Sequence, residues 1–141
     1  MVARLMVPVN TLKGIQVIVP QHAEYETGFA RWVNQVLRMA GQLGCRIRFA
    51  ADASSAASLK KIISKSEHAT LVEIIEEEKR PFADRMDMKV RSEQLVVVVS
   101  ARSGSISYDL AFDRLPALLN KNFANNSLLI VYPEQVDRDD V

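Results

Sequence analysis

Gln94-Leu95-Val96-Val97-Val98-Val99 runs directly into Ser100-Ala101-Arg102-Ser103-Gly104-Ser105-Ile106-Ser107-Tyr108-Asp109. The first part is apolar at every position from Leu95 to Val99. A strand with one wet face alternates apolar and polar residues. A strand apolar on both faces belongs in a parallel sheet with helices on both sides. The second part is a polar loop with four serines, one arginine and one glycine, placed to lead from a buried strand into a helix.

Four more short runs read as strands: Ile15–Val19, Arg46–Ala50, Thr70–Ile75 and Leu128–Tyr132. Helical spacing fills the intervals. Phe29, Trp32, Val33, Val36, Leu37, Ala40 and Leu43 form one stripe, and Gly44 then supplies a left-handed stop. A second helix is expected from an N-cap at Ser54 or Ser55, with Ala56, Leu59, Ile62 and Ile63 inward. A third starts at Pro81 and buries Phe82, Met86 and Val90. A fourth starts near Asp109 or Asp113, carries Leu115, Leu118 and Leu119, and is split at Pro116. Strands alternating with helices in this way predict an α/β fold, a three-layer α/β/α sandwich on a parallel sheet.

Residues 1–13 read as an extended leader outside the main unit, residues 14–135 as the α/β domain, and residues 136–141 as a charged, flexible tail. The last strand, Leu128, Leu129, Ile130, Val131 and Tyr132, carries no charge to blunt it as an edge. Pairing with a second copy would cover it, so a homodimer through this edge is expected, with the leader folding over it as the alternative.

Several function classes are excluded. The 18 basic and 17 acidic side chains leave a net charge of +1. That is no footprint for nucleic acid and no polybasic membrane surface. One cysteine, Cys45, permits neither an internal disulfide nor a multi-cysteine zinc site, and it reads as a small buried apolar group. His22 and His68 each stand alone, so no metal spacing exists. Glu76-Glu77-Glu78 reads as a solvated loop. No carboxylate pair is marked out for acid–base work, and no enzyme activity is expected. The longest apolar run is far short of the ~20 residues of a spanning helix.

In open α/β sheets, ligands bind beyond the carboxyl ends of strands, where the strand order reverses. The candidate ligand site is therefore Pro20 and His22 after the first strand, with Ser100, Arg102, Ser103, Gly104 and Ser105 after the fourth. Hydroxyls, a guanidinium and backbone N–H groups suit a phosphate.

Certain stretches resemble a known family. These are Ser103-Gly104-Ser105-Ile106-Ser107-Tyr108, Leu115-Pro116, Asn126-Ser127-Leu128, Tyr132-Pro133-Glu134-Gln135 and Pro20-Gln21-His22-Ala23-Glu24-Tyr25-Glu26 with Gly28-Phe29. From about Leu12 to Gln135 the chain resembles universal stress protein-like domains. The nearest are those found at the cytoplasmic C-terminus of bacterial sodium/proton (monovalent cation:proton) antiporters. The resemblance implies a Rossmann-like sheet of five parallel strands ordered 3-2-1-4-5. It also implies a membrane transport domain in the same polypeptide, a location on the cytoplasmic side of the bacterial inner membrane, and a regulatory role in ion transport by sensing or dimerisation.

The alternative it implies is a stand-alone universal stress protein binding a nucleotide in the crevice beyond the first and fourth strands. Of the family's glycine pattern for ATP only Gly104 is present, and Asn125-Asn126-Ser127 stand where the final glycine pair is expected. Side chains there would obstruct backbone approach to a triphosphate. A nucleotide is thus the candidate effector, with ATP in its usual pose disfavoured. Histidine is the side chain that changes charge nearest neutral pH, which makes His22 the candidate pH reporter.

Overall fold

The structure, a computed structural model, describes residues 2–4, 11–87, 90–100, 112 and 114–132. Its strands are β1 (Val2–Arg4), β2 (Gly14–Ile18), β3 (Arg46–Ala51), β4 (Val72–Glu76), β5 (Gln94–Val99) and β6 (Ser127–Val131). They form one sheet in the order β1-β6-β5-β2-β3-β4. The five strands from β2 to β6 pair in parallel. Counted among themselves from β4 to β6, they run 3-2-1-4-5, as the resemblance implied. The apolar run Leu95–Val99 lies on β5, between β2 and β6, and every one of its residues is buried.

One face of the sheet carries α1 (Phe29–Leu43) and α2 (Ala53–Ile63). The stripe of α1 is buried as its spacing requires, from Phe29 to Ala40, with Leu43 at its margin. Trp32 sits edge-on to Phe29 at 5.6 Å and tilted against Phe49 of β3 at 6.5 Å. Burying rings of this size dominates such a core. Gly44 has φ 66°, and its N–H reaches the carbonyls of Ala40 and Gly41. A side chain there would be strained, which is why the helix stops at a glycine. Cys45 opens the next strand, buried, with its thiol donating to the Leu12 carbonyl at 3.2 Å.

The opposite face carries α3 (Leu115–Asn122) and a short 3-10 helix of two turns at Phe82–Asp87. Phe82, Met86, Leu115, Leu119 and Phe123 pack there against Ile18, Val96, Val98 and Leu128.

Several local expectations are corrected. The cap of α2 is Asp52, whose carboxylate accepts from the Ser55 N–H at 2.9 Å. Ser54 and Ser55 already lie within the helix, because β3 runs one residue further than expected. The third helix is a six-residue 3-10 segment, although it buries the expected Phe82 and Met86. Pro116 does not split a helix. It lies in the first turn of α3, where its missing N–H would have had no partner. The candidate start at Asp109 or Asp113 lies outside the described residues, and α3 begins at Leu115.

The largest correction concerns the edge. Leu128–Tyr132 is not a bare edge open to a second copy. Val2, Ala3 and Arg4 pair antiparallel with Ile130, Leu129 and Leu128. Residues 2–4 of the leader therefore belong to the sheet, and Leu12 is buried in the main core. Backbone groups taken by β1 cannot pair with a copy unless β1 leaves. The tail from residue 133 lies outside the described residues.

Two outcomes follow. A chain lacking residues 1–9 should melt several degrees lower and show a mass by light scattering that rises with concentration, since an apolar edge is then bare. An unchanged melting temperature and mass would remove the covering role. Burial pushes the Cys45 thiol above its ordinary pKa. The folded thiol then keeps its proton to higher pH than the unfolded one. Stability should fall as pH rises above the unfolded value of about 8.5. Cys45→Ala should flatten that decline in urea titrations from neutral to alkaline pH; an unaltered slope would refute the link.

Candidate functional site

The reversal of strand order falls between β2 and β5, whose crossovers leave toward opposite faces. The register sets Ile18 beside Val98. Pro20 and Ser100 each lie two positions further on, just past the ends of β2 and β5. Both are buried. The Ser100 N–H donates to the Val131 carbonyl at 2.8 Å, which prolongs the β5–β6 ladder to the lip of the crevice. Arg102, Ser103, Gly104 and Ser105 lie outside the described residues.

His22 is the unusual residue of the first lip. It has φ 64° and ψ 13°, the left-handed region, and among the described residues it is the only non-glycine with positive φ. Histidine tolerates this region better than most side chains, but at a cost. A one-turn helix at Ala23–Tyr25 follows at once. The His22 ring is exposed and stacks on Tyr25 at 6.1 Å, with Tyr25 itself 64% exposed. Two rings thus stand at the mouth of the crevice.

The lip is tied down on both sides. The Glu24 carboxylate accepts from the Ser54 hydroxyl at 2.8 Å and from the Ser55 hydroxyl at 2.5 Å. A carboxylate beside the first turn of α2 also meets the positive end of that helix. Gln21 donates from Nε2 to the Arg80 carbonyl at 3.3 Å.

Arg85 is the residue that sequence reasoning missed. It is 3% exposed. Its Nη1 donates to the Val19 carbonyl, its Nη2 to the Ala50 carbonyl at 2.8 Å, and its Nε to Glu77 at 3.0 Å. One guanidinium thus closes the ends of β2 and β3 together. Glu77, expected to be solvated, is drawn inward as its counter-charge, with Arg80 at 4.0 Å as a second neighbour. Nothing in the sequence marks this pair. The ion pair spans eight positions, and the other acceptors are backbone carbonyls. The charge is spent on the fold, so Arg85 is not a free anchor for an anionic ligand.

Asn126 is placed differently from the expectation. It precedes β6 at the amino end of the sheet, remote from the crevice. Its Nδ2 donates to the Arg91 carbonyl at 2.8 Å and lies 3.4 Å from the carbonyls of Val90 and Gln94. It holds the turn before β5 and cannot obstruct a ligand beyond the carboxyl ends.

Among the described residues no group of three or more His, Cys, Asp or Glu could hold a metal ion. No helix among them is long and apolar enough to cross a membrane. No family model, no curated protein and no solved structure matches the chain. The crevice therefore has to be interpreted from its own chemistry: two aromatic rings, a rigid lip, and strand ends already closed on one side by a buried cation.

Removing Arg85 leaves Glu77 half-buried and two carbonyls unpaired. Arg85→Ala should cost about 3–5 kcal/mol in urea unfolding, whereas Glu77→Gln should cost less because Glu77 keeps partial access to water. A loss under about 1 kcal/mol for Arg85→Ala would show the clamp to be dispensable.

Proposed function

We propose that this chain is a non-enzymatic regulatory domain of a bacterial monovalent cation:proton antiporter. It resembles the universal stress protein-like domains that end such transporters. In this reading it senses a small effector in the crevice between β2 and β5. The observation that carries the reading is the conjunction at the switch point. The 3-2-1-4-5 sheet brings the ends of β2 and β5 side by side, with Pro20 and Ser100 just beyond them and an exposed, left-handed His22 in the segment after β2.

The crevice supports binding more than catalysis. Its described side chains supply stacking surfaces and hydroxyls. Glu24, the nearest carboxylate on the lip, is already engaged by two serines. A nucleotide is the effector class favoured by rings at the mouth and by the serine-rich loop 100–105 in the sequence. A regulator needs an effector that binds one state of the transporter better than another. Homodimerisation would be one way to transmit that preference, through a surface other than the edge occupied by β1.

Thermal unfolding of the chain with ATP, ADP, AMP, cyclic nucleotides and NAD(H) tests the reading. A ligand at a hundred times its dissociation constant adds about 2.7 kcal/mol, which raises the melting temperature by several degrees. At least one nucleotide should do so, and Arg102→Ala and His22→Ala should each abolish the shift. Silence towards all of them would leave a dimerisation module with an empty crevice. Finding that the polypeptide is translated without a membrane domain would replace the antiporter reading with that of a stand-alone nucleotide-binding protein.

A further inference from the structure

Gln16 is out of character for its place. β2 is the central one of the five parallel strands, and all five of its residues are buried. The other four are glycine or aliphatic. Gln16 is 5% exposed among them. Glutamine is ordinarily a surface residue, so its burial is informative. Its carboxamide has no hydrogen-bond partner among the described residues. Buried amides are costly without one, and folded chains hardly ever leave them so. Among the described residues the side-chain atom that is fully sealed without a partner is Trp32 Nε1. The Gln16 amide is therefore not sealed. It opens into a cavity of about 310 Å³, whose wall it helps to form.

The register places this cavity. Gln16 stands between Arg48 of β3 and Val96 of β5, and Arg48 stands beside Glu73 of β4. The next row is Ile18, Ala50 and Ile75. Alternation sets both rows on the face that carries α3, where Ile18 and Val96 are packed. Ala50, Ile75 and Val90 supply the apolar part of the wall. Gln94 borders it next to Gly14, where a Cβ would stand 3.5 Å from the Gln94 amide. The Gln94 carboxamide also has no hydrogen-bond partner among the described residues.

The charges of the wall are already matched. Arg48 is held by Glu73 at 3.2 Å, Glu77 by Arg85 at 3.0 Å, and Arg91 lies 3.9 Å from Glu93. What remains unmet is neutral: a carboxamide that offers N–H beside C=O. Its complement is another N–H beside C=O. An ionic ligand would bring a charge for which no counter-charge is free, and its desolvation would go uncompensated. The volume falls at the small end of the range of about 300–1,000 Å³ for ligand cavities.

We infer that this cavity binds a small neutral molecule with a lactam edge, the class to which free nucleobases such as uracil belong. The ligand C=O accepts from Gln16 Nε2, and its N–H donates to Gln16 Oε1. Its remaining surface lies against Ala50, Ile75 and Val90. The inference does not rest on the crevice. The cavity lies on a face of the sheet alongside β2 and β3, whereas the crevice lies beyond the ends of β2 and β5.

The experiment uses the full chain, isotopically labelled, titrated at millimolar concentration with uracil and with δ-valerolactam, and followed by amide NMR. The Gln16 side-chain amide signals should move, together with the backbone amides of Arg48, Ala50 and Ile75. N,N′-dimethyluracil has lost both N–H donors, and orotate adds a carboxylate. Each should bind at least about tenfold more weakly than uracil. Gln16→Leu should lower affinity by at least about tenfold as well. That variant should keep or raise the melting temperature, because an apolar group of similar size replaces an amide without a partner. Ile75→Trp narrows the cavity at a 37% exposed position, leaves Gln16 in place and should also weaken binding. His22→Ala should leave uracil binding unaltered, which separates this site from the crevice.

Binding of neither uracil nor δ-valerolactam would overturn the inference. So would shifts confined to the lip around His22, or equal binding of dimethyluracil or orotate. A Gln16→Leu chain that melts several degrees lower would equally overturn it, since Gln16 would then be a structural partner.

Discussion

A parallel sheet has to hide both of its faces, and most of this structure follows from how that is done. Each fully buried valine or leucine contributes about 1.5–3 kcal/mol. The row from Leu95 to Val99 can collect that only if side chains above and below are both covered. One cover is made by α1 and α2 around Trp32 and Phe49. The other is made by α3 and a short turn around Phe82, Met86 and Phe123. The two covers are unequal. Among the described residues the first spans β2 to β4 and the second lies over β2, β5 and β6; in the row of Gln16, Arg48 and Glu73, Gln16 is buried while Arg48 and Glu73 are exposed.

Arg85 gives the shorter cover its strength. Sheets end in carbonyls that no neighbour reaches, and a buried carbonyl without a partner is costly. A full crossover helix would sit over those ends. A six-residue turn cannot, so it delivers one guanidinium that serves β2, β3 and Glu77 at once. Asn126 does the same at the opposite end, where one amide donates across the turn before β5. Two polar side chains thus replace what longer helices would have supplied. The candidate crevice inherits its rigidity from the first of them, because Val19 is the residue before Pro20.

Features that repeat along the chain were legible in the sequence. The α1 stripe, the Gly44 stop and all five parallel strands follow from period and composition, with ends displaced by only a residue or two. Features made by single long-range contacts were not. Nothing near Arg85 announces two backbone acceptors from other strands. Nothing in Glu76-Glu77-Glu78 says that the middle carboxylate turns inward. Asp52 lost to Ser54 and Ser55 as a cap because the end of β3 could not be placed to one residue. The second lip of the site is legible only as a motif, since residues 101–105 lie outside the described residues. His22 was singled out by its position and its residue type; its left-handed backbone was not foreseen, because no glycine marks that turn.

The pairing of Val2 with Ile130 has a consequence for the order of folding. Every other ladder joins strands whose crossover can form while synthesis proceeds. β1 is made before every other strand of the sheet, yet among the described residues its partner is the last strand to emerge. It must wait, unpaired, through the making of the whole sheet. The strand made first is therefore the last to be bonded, and the finished sheet is sealed by its earliest strand.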